Sequence, residues 1–590
     1  MKLVRQWSEG ARLARRFASD LGEHKLRLSA VLALSLAVAA CQIVLPWPIQ
    51  WIVDGALLRR PGFEREPQDY VWLGAAALLA LVVLQAAVEY YVTLTTADVG
   101  HRVARSIRLR LFRHLAQLSP RFFARHKSGD LIVRLLGDVA MVRSALVETS
   151  TEFVTRALWV GGTVAVMTWV DPLLTAVLLA VLPFVAWVVR SMSHKIQVQA
   201  RKARRKEGAL ADFLQESLAA SEVIQALGRS QAVVRKLAHE SRTSERAGLK
   251  SARLSAKLSS SVHALLGLGV ALTLCVGGMR VVDGQLSAGE LLVFVSYVRG
   301  LLKPVRSASR NSERLAKGSA CAARILEVLD EPLAVRSKPG APPAPARPTV
   351  LEFDDVHYAY DEGQFALRGL SQRFERGELV GVFGRSGAGK STWAALSVRL
   401  FDPDRGAVRL DGLDLRELEL GSLRERFGLC LQRPVLLGES IRENLRLGKL
   451  EAGEREMWRA LEDAGAADFV RQRPGGLDSL LGAGGAGLSG GQERRIALAR
   501  TLLREAPILI VDEPFAGLDR DAAGHVLESL RARARTSIVI VIAHELEYLA
   551  EYDRVVVLDA GRVHASGKHS ELLEDDGYRA LLAARPEAVA

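Results

Sequence analysis

A glycine-rich stretch at residues 384–391, GRSGAGKS, matches the phosphate-binding pattern G-x-x-x-x-G-K-[ST] in full. Glycines in such a loop let backbone N–H groups turn toward phosphate oxygens at the start of a helix. We expect Lys390 to reach the β- and γ-phosphates of a nucleoside triphosphate, and the Ser391 hydroxyl to bind Mg²⁺. The predicted nucleotide contacts in this part of the chain are Gly384, Arg385, Ser386, Gly387, Ala388, Gly389, Lys390, Ser391 and Thr392.

Acidic residues follow a short apolar run further along the chain. Asp512 comes directly after four apolar residues, 508–511, as expected at the carboxyl end of a buried strand. A carboxylate in that position near a phosphate loop is the usual second-sphere partner of Mg²⁺, and Glu513 is the best candidate to polarise an attacking water. His544 follows a second apolar run, residues 538–542, and is expected to contact the γ-phosphate. These residue types predict hydrolysis of a nucleoside triphosphate.

Alternating strand and helix patterns position these residues. The patterns begin after a linker at residues 331–348, which is rich in proline from 336 onward and is expected to be extended. Residues 379–383 predict a buried strand directly before the phosphate loop, which is the context that the loop requires. Parallel strands separated by helices predict an α/β nucleoside triphosphatase domain over residues 349–590.

The first 330 residues have a different character. They contain six predominantly apolar segments, each of about the length that crosses a bilayer, and so predict an α-helical six-span transmembrane domain. The segments are residues 28–53, 70–93, 153–170, 173–189, 262–282 and 291–305. Hydrophobic residues make up 49% of the chain and charged residues 25%, which fits one membrane-embedded and one soluble part.

Positive charge is concentrated between the apolar segments. The net charge is +13, and residues 96–150 and 191–258 are long, basic and helix-patterned. Because Lys and Arg are enriched in cytoplasmic loops, we expect a multi-pass protein of the cytoplasmic (inner) membrane with its C-terminal domain in the cytoplasm. This distribution favours a lipid bilayer over nucleic acid as the partner of the basic residues. Four widely scattered cysteines argue against a disulfide framework or a cysteine metal site.

Three further motifs carry a family resemblance. LSGGQ at residues 488–492 lies between the phosphate loop and Asp512, Gln432 lies in the string CLQRP, and Tyr360 ends the string VHYAY. With these motifs in this order behind six apolar segments, the whole chain resembles an ATP-binding-cassette (ABC) transporter of the type I exporter architecture. The resemblance is to a half-transporter with the transmembrane domain first and the P-loop ABC cassette second, and it implies ATP and Mg²⁺ as cofactors.

The resemblance also implies roles for single residues. The loop that would complete the ATP site of the opposite subunit consists of Ser489, Gly490, Gly491 and Gln492. Gln432 would bind near Mg²⁺ and sense both the ion and the membrane domain. Tyr360 would stack on adenine, in preference to Tyr358, which lies one alternation earlier in the strand. Asp519 would lie at the subunit contact.

Two positions depart from the family pattern. Ala483 stands where exporters of this type usually have a glutamate that contacts the coupling helices, which puts one inter-domain contact in doubt. Gly517 stands where a small non-glycine residue is more usual, which should loosen that loop. Neither change removes a phosphate ligand. Phe122 and Phe123, followed by SGD at residues 128–130, resemble the first intracellular loop, which carries a coupling helix.

The predicted function is ATP-driven export or flipping of an amphipathic substrate, such as a lipid, drug-like compound, glycan or peptide, by alternating access. All catalytic positions are present, so two copies could form two complete sites. A homodimer is favoured, and a heterodimer with a degenerate sister chain is the alternative. Import by the same fold and nucleotide-gated regulation of another membrane protein stay open. A soluble ATPase with two cassettes is excluded, because one cassette follows six apolar segments.

Two charged residues inside apolar segments suggest a polar contact within the membrane domain. Glu89 and Arg156 are expected at similar depth, because each lies toward the cytoplasmic end of its segment. We expect either an ion pair or a couple that lines a cavity, or else independent contact of both side chains with interfacial water.

Overall fold

The structure, a computed structural model, separates the chain into two independently packed units. It describes residues 16–60, 63, 65–360, 365–432, 434–482, 485, 487–543 and 545–583. The first unit consists of the residues up to Ala116 together with Ser128–Glu331, and the second of Gln117–Lys127 together with the residues from Pro332 onward. Residues 117–127 therefore pack with the second unit although both of their chain neighbours belong to the first.

Helices α1 to α13 precede the linker. In chain order they are α1 Ala18–Gly22, α2 Lys25–Val44, α3 Trp47–Trp51, α4 Pro67–Leu115, α5 Pro120–Arg125, α6 Ser128–Val133, α7 Val139–Arg143, α8 Thr149–Val170, α9 Pro172–Ala219, α10 Ser221–Ala226, α11 Ser230–Val282, α12 Ala288–Gly300 and α13 Leu302–Leu329. Three π-helical segments, Ile52–Leu57, Arg134–Asp138 and Ser144–Glu148, lie between them. Of these helices, α5 belongs to the second unit.

Three helices exceed the thickness of a bilayer by a wide margin. With 49 residues in α4, 48 in α9 and 53 in α11, each spans more than about 70 Å, against about 30 Å of hydrocarbon. Each of the three therefore continues well beyond its apolar segment into one of the basic, helix-patterned stretches. Among the described residues, three helical stretches are long and apolar enough to cross a membrane: Lys25–Leu57, Pro67–Leu115 and Ser230–Val282. The count of six spans stays a prediction.

The first apolar segment is not one uninterrupted α-helix. After α2 ends at Val44, the chain turns, resumes as α3 and ends in the π-helical segment Ile52–Leu57. Pro46 and Pro48 explain the break, because proline has no N–H to donate within a helix and its ring clashes with the preceding turn.

Side-chain caps fix where two helices of the first unit begin. The Asp171 carboxylate accepts hydrogen bonds from the N–H groups of Leu173 and Leu174, both at 3.0 Å, and forms an ion pair with Arg280 at the end of α11. Ser287 caps α12 in a reciprocal capping box with Glu290. Such caps satisfy N–H groups that have no partner inside the helix, and so define the ends of the helices.

The ion pair, one of the alternatives for Glu89 and Arg156, does not form within the described protomer. Glu89 accepts hydrogen bonds from the side-chain amides of Gln42 and Gln85 instead. Arg156 forms an ion pair with Glu152, one turn earlier in α8. A partner one turn away on the same helix is always within reach, and it has replaced the predicted long-range contact.

Within its described residues the second unit contains ten strands and, besides α5, nine α-helices, with short 3₁₀ helices between them. The strands are β1 Val350–Ala359, β2 Phe365–Glu375, β3 Leu379–Gly384, β4 Arg405–Leu410, β5 Leu413–Asp414, β6 Phe427–Cys430, β7 Ile508–Asp512, β8 Ile538–Ile542, β9 Arg554–Asp559 and β10 Arg562–Gly567. The helices are α14 Lys390–Ser397, α15 Leu420–Glu425, α16 Ile441–Arg446, α17 Glu454–Asp463, α18 Ala467–Gln472, α19 Gly490–Leu503, α20 Arg520–Ala534, α21 His569–Leu572 and α22 Asp576–Ala583.

Two sheets organise the second unit. The smaller has the order β2-β1-β4-β5 and is antiparallel. The larger has the order β10-β9-β3-β8-β7-β6, in which β9, β3, β8, β7 and β6 are parallel. The predicted α/β domain with buried parallel strands is confirmed, and β8 separates the strand before the phosphate loop from the strand that ends at Asp512.

Both faces of the larger sheet are covered. Along β7, Ile508 and Ile510 face one hydrophobic core, while Leu509 and Val511 face the other. Side chains of successive residues in a strand point to opposite faces, so a continuous apolar run is what a parallel strand between two layers requires.

Candidate nucleotide-binding site

The phosphate loop connects a fully buried strand to a helix. All six residues of β3 are buried, and α14 begins at Lys390. Gly389 precedes the helix with φ of +100°, and a Cβ atom there would lie 2.6 Å from the carbonyl oxygen of Ala366. Only glycine fits both the left-handed backbone and the close approach of β2. The chain therefore enters the helix with its first N–H groups at the loop.

Lys390 closes the loop from within. Its side chain is buried, and Nζ donates hydrogen bonds to the carbonyl oxygens of Gly384 at 2.6 Å and Arg385 at 3.0 Å. The ammonium group thus lies across the loop that the sequence predicts for phosphate binding. Of the remaining predicted loop contacts, Ala388 and Thr392 are buried. The exposed ones are Arg385, Ser386, Gly387 and Ser391.

Sheet register brings Gln432, Asp512 and Glu513 together. Cys430 at the end of β6 pairs with Val511 in β7, so the residues that follow both strands leave the sheet at the same edge. Gln432 donates a hydrogen bond of 2.7 Å from Nε2 to Oε1 of Glu513. The predicted catalytic amide and carboxylate are therefore in direct contact.

The electrostatics of this edge favour a bound cation. Burial, together with the neighbouring charge of Glu513, raises the pKa of Asp512 to about 6, although Lys390 and Arg494 act in the opposite direction. A carboxylate that is desolvated beside a second carboxylate is stabilised by a divalent cation. Among the described residues, no group of three or more His, Cys, Asp and Glu could hold a metal by itself. The predicted ligands at this edge therefore fit Mg²⁺, which commonly binds through one or two protein ligands and substrate phosphates.

Glu513 has a strained backbone. Its φ is +51°, although it is not a glycine, and its N–H donates to the carbonyl oxygen of Ile542 at 3.1 Å. Left-handed conformations of residues with long side chains cost energy and concentrate at functional sites. Here the conformation turns the chain directly after β7 and leaves the Glu513 carboxylate in contact with Gln432.

An aromatic cluster lies beside the phosphate loop. Tyr360 is 40% exposed, and its hydroxyl is 3.1 Å from Oγ1 of Thr392 on α14. Tyr358 is fully buried, and its ring packs against those of Tyr360 and Phe401. Only Tyr360 of the two tyrosines presents ring surface to which adenine could stack, in agreement with the preference derived from the sequence.

Sequence reasoning missed Arg121 on α5. Its guanidinium lies 4.6 Å from the ring centroid of Tyr358, and it donates hydrogen bonds to the Tyr358 hydroxyl at 2.8 Å and the Ala359 carbonyl oxygen at 2.5 Å. Burial raises the pKa of the Tyr358 phenol, so it stays neutral at physiological pH. The only sequence signal was that Arg121 precedes Phe122 and Phe123 in the expected coupling loop. Nothing local indicated a partner more than two hundred residues away.

The LSGGQ turn begins a helix with open surface. Ser489 caps α19 in a reciprocal capping box with Gln492, whose side chain accepts a hydrogen bond of 3.0 Å from the Ser489 N–H. A Cβ atom on Gly490 would meet nothing within 4 Å, and one on Gly491 would lie 3.4 Å from the carbonyl oxygen of Gly517. Gly490 therefore leaves room for a ligand to approach the first turn of the helix.

Some predicted residues need separate mention. His544 and Ala483 lie outside the described residues. Gly517 has φ of +77°, a backbone conformation that favours glycine and explains its presence there. Asp519 caps α20 by accepting a hydrogen bond of 2.8 Å from the Ala522 N–H.

Comparison with known proteins agrees with this architecture. Residues 28–305 match the family model of the ABC transporter transmembrane region, and residues 367–516 match the family model described as ABC transporter. The chain is 30% identical over 567 residues to the ATP-dependent lipid A-core flippase of Chromobacterium violaceum, with 95% of each chain covered. It is 31% identical over 563 residues to the flippase of the same name from Alkalilimnicola ehrlichii, covering 95% of this chain and 94% of the relative.

A solved structure shares the whole fold. A bacterial Atm1-family ABC exporter with ATP bound has a TM-score of 0.81 and 26% sequence identity, over 96% of this chain and 99% of that one. The matches cover both units and preserve their order along the chain. The chain therefore belongs to the ABC transporter family, as a half-transporter of the exporter architecture in which a helical transmembrane domain precedes an ATPase domain that drives transport.

Proposed function

We propose that two copies of this chain form an exporter or flippase that uses Mg²⁺ and ATP to move an amphipathic, lipid-like molecule across the cytoplasmic membrane. The contact between Gln432 and Glu513, one residue beyond Asp512, carries this proposal. It supports the proposal because the carboxylate that we assign to water activation holds a neighbouring amide at the edge of the sheet where Asp512 ends β7.

The proposed roles follow from the chemistry of each group. Lys390 neutralises the β- and γ-phosphates, while Ser391 and Asp512 hold Mg²⁺, which neutralises charge that develops on the phosphates. Glu513 orients and polarises the attacking water, and Gln432 positions Glu513 and approaches the ion. Tyr360 stacks on adenine. His544, which lies outside the described residues, contacts the γ-phosphate.

Two subunits are needed to complete each site. The first turn of α19 presents N–H groups and the positive end of the helix dipole, which favour a phosphate. In our proposal the loop from Ser489 to Gln492 of one copy closes over the ATP held by the phosphate loop of the other. Because this chain has every catalytic position, a homodimer is favoured over a pair with a degenerate sister.

The comparisons bear on cargo and direction. The two flippases are named for lipid A-core, and the solved relative is an exporter. They favour outward movement or flipping over import, and a lipid-like cargo over a small polar solute. Basic stretches at residues 96–150 and 191–258 support placing the ATPase domain in the cytoplasm.

ATP hydrolysis by the purified chain in lipid discs tests the proposal. Glu513→Gln keeps the shape of the side chain but removes its charge, and we expect a loss of about 100-fold or more in hydrolysis rate, with ATP trapped in a closed dimer. Lys390→Ala should weaken nucleotide binding itself. Glu528→Gln, at an exposed position on α20, is the matched control and should hydrolyse ATP at the wild-type rate.

Either of two results would contradict the proposal. Wild-type hydrolysis by Glu513→Gln would exclude Glu513 as the group that activates water. An inactive wild-type chain that regains hydrolysis only with a second, different subunit would exclude the homodimer.

A further inference from the structure

Glu89 is the only charged residue in the apolar part of α4. Between Asp69 and Asp98 the sequence has no other Asp, Glu, Lys or Arg. Asp98 forms ion pairs with Arg27 and Arg102, a cluster that marks the cytoplasmic end of the apolar segments. Glu89 lies nine positions before Asp98 in the helix, or about 13 Å along the axis. The uncharged stretch thus extends beyond residue 93, the predicted end of the apolar segment. Glu89 therefore lies about 13 Å inside a hydrocarbon layer about 30 Å thick, deeper than the segment bounds indicated.

Two amides hold this carboxylate in place. Gln85, one turn earlier on α4, donates to Oε1 of Glu89 at 2.8 Å, and Gln42 on α2 donates to the same oxygen at 3.3 Å. Within the described parts of the chain, Oε2 of Glu89 has no hydrogen-bond partner, and no Lys, Arg or His forms an ion pair with the group. One oxygen is thus anchored from two helices while the other is available to a ligand.

The energetics exclude a lipid-facing carboxylate as the working arrangement. Charged groups inside a bilayer are costly, and they face a water-filled cavity or a charged partner. The Glu89 side chain is exposed on the protomer, so the described residues of the unit leave the group open to a ligand. Two neutral amides orient the carboxylate but leave its charge without compensation. A cationic ligand that binds there transiently would balance the negative charge of the carboxylate.

We infer that Glu89, oriented by Gln42 and Gln85, binds the cationic head group of an amphipathic substrate inside the membrane domain. The inference rests on the proposed function, and it narrows the substrate class to amphiphiles that carry positive charge. A carboxylate at this depth attracts an ammonium or phosphonium group strongly, because few water molecules screen the pair. The same charge repels phosphate and other anions, so the site selects against anionic head groups.

A pair of lipophilic ions of equal shape and opposite charge tests this site. Tetraphenylphosphonium and tetraphenylborate can be titrated against the full chain in phosphatidylcholine discs, with empty discs subtracted and ion-selective electrodes as the readout. We expect Glu89→Gln to weaken tetraphenylphosphonium binding by about tenfold or more. Binding of tetraphenylborate should stay equal or improve. Gln85→Ala, which keeps the charge but loses one anchoring amide, should bind the cation with intermediate affinity.

Asp69→Asn is the matched control, because it removes a carboxylate from the exposed start of the same helix and should bind the cation as the wild type does. Monodisperse elution of each variant in size-exclusion chromatography guards against misfolding. Equal tetraphenylphosphonium affinity of wild type and Glu89→Gln would overturn the inference, as would tetraphenylborate binding that falls in parallel. These titrations contain no ATP, so a negative result for Glu89 does not affect the hydrolysis test of the proposed function. Likewise, a negative hydrolysis test does not alter the titration.

Discussion

Single residues at the ATP site show how backbone conformation determines chemistry. Gly389 and Glu513 both have positive φ, at +100° and +51°, yet only the first is a glycine. At Gly389 the neighbouring strand leaves no room for a side chain. At Glu513 the side chain itself is needed, so the strain has to be offset by the hydrogen bonds around it. The two positions therefore respond differently to substitution.

Gly389→Ala should abolish nucleotide binding. The new Cβ would lie 2.6 Å from the Ala366 carbonyl oxygen, so the loop has to move. Gly412→Ala is the matched control, because Gly412 has φ of +82° with nothing near its Cβ. It should cost about 1 kcal/mol of stability from backbone strain alone and leave ATP binding intact. Titration with a fluorescent ATP analogue distinguishes the two, and equal affinities in both variants would contradict the steric argument.

Tyr360 should contribute to ATP affinity through its ring more than through its hydroxyl. Tyr360→Ala removes the exposed aromatic face and is expected to raise KM for ATP by about tenfold, as base stacking on an aromatic ring is worth roughly 1–3 kcal/mol. Tyr360→Phe loses only the hydrogen bond to Thr392 and should stay close to wild type. Steady-state hydrolysis over a range of ATP concentrations measures both. If Tyr360→Phe were as impaired as Tyr360→Ala, the hydroxyl would be the important group.

Hydrolysis should fall as pH drops through about 6. Asp512 has its pKa raised to about 6, so below that pH the carboxyl group is increasingly protonated and binds Mg²⁺ poorly, while above it the ionised form is available. Because Mg²⁺ competes with the proton, a tenfold increase in Mg²⁺ should move this acid limb to lower pH. Hydrolysis rates from pH 5 to 8 at two Mg²⁺ concentrations test this. If the acid limb stayed at the same pH at both Mg²⁺ concentrations, a group other than Asp512 would be responsible for it.

Elements differ in how far the sequence determines them. The strands β7 and β8 occupy the predicted residues, 508–512 and 538–542, because continuous apolar runs next to charged residues have few other solutions in a parallel sheet. The phosphate loop was equally predictable, since its glycines and lysine are local. By contrast, the contacts of Arg121 with Tyr358 and of Glu89 with Gln42 depend on how distant helices and strands meet, which no local pattern encodes.

Helix α5 should influence ATP binding through Arg121. The Ala359 carbonyl that accepts its hydrogen bond directly precedes Tyr360. Arg121 therefore positions the end of β1, next to the ring that we propose stacks on adenine. Arg121→Ala should raise KM for ATP by about threefold to tenfold, the effect of losing one or two hydrogen bonds. Arg121→Lys should rescue little, because an ammonium group cannot reproduce the planar fork. Lys127→Ala, an exposed change in the same segment, is the control, and full rescue by lysine would refute the positioning role.

At the scale of the whole molecule, the boundary between the two units does not follow the chain. Residues 117–127 pack with the ATPase unit although they lie within the sequence of the membrane domain. The order of motifs predicted both domains and their order along the chain. It did not predict that residues 117–127 pack with the ATPase unit, because contacts between segments far apart in sequence decide this. The same limit applies to the partner subunit, whose loop completes each site in our proposal.

Complementation between two inactive chains tests that requirement. A chain with Lys390→Ala keeps its LSGGQ loop, and a chain with Ser489→Arg keeps its phosphate loop, so neither forms a working site with its own copy. In a mixed dimer, one site combines both defects and the other combines both intact loops. Co-expression in equal amounts makes half of the dimers mixed, which predicts about one quarter of wild-type hydrolysis if the sites act independently. Each chain expressed alone should be inactive. If each ATP site were built within one chain, Ser489→Arg alone would destroy its own site, and the mixture would stay as inactive as its components.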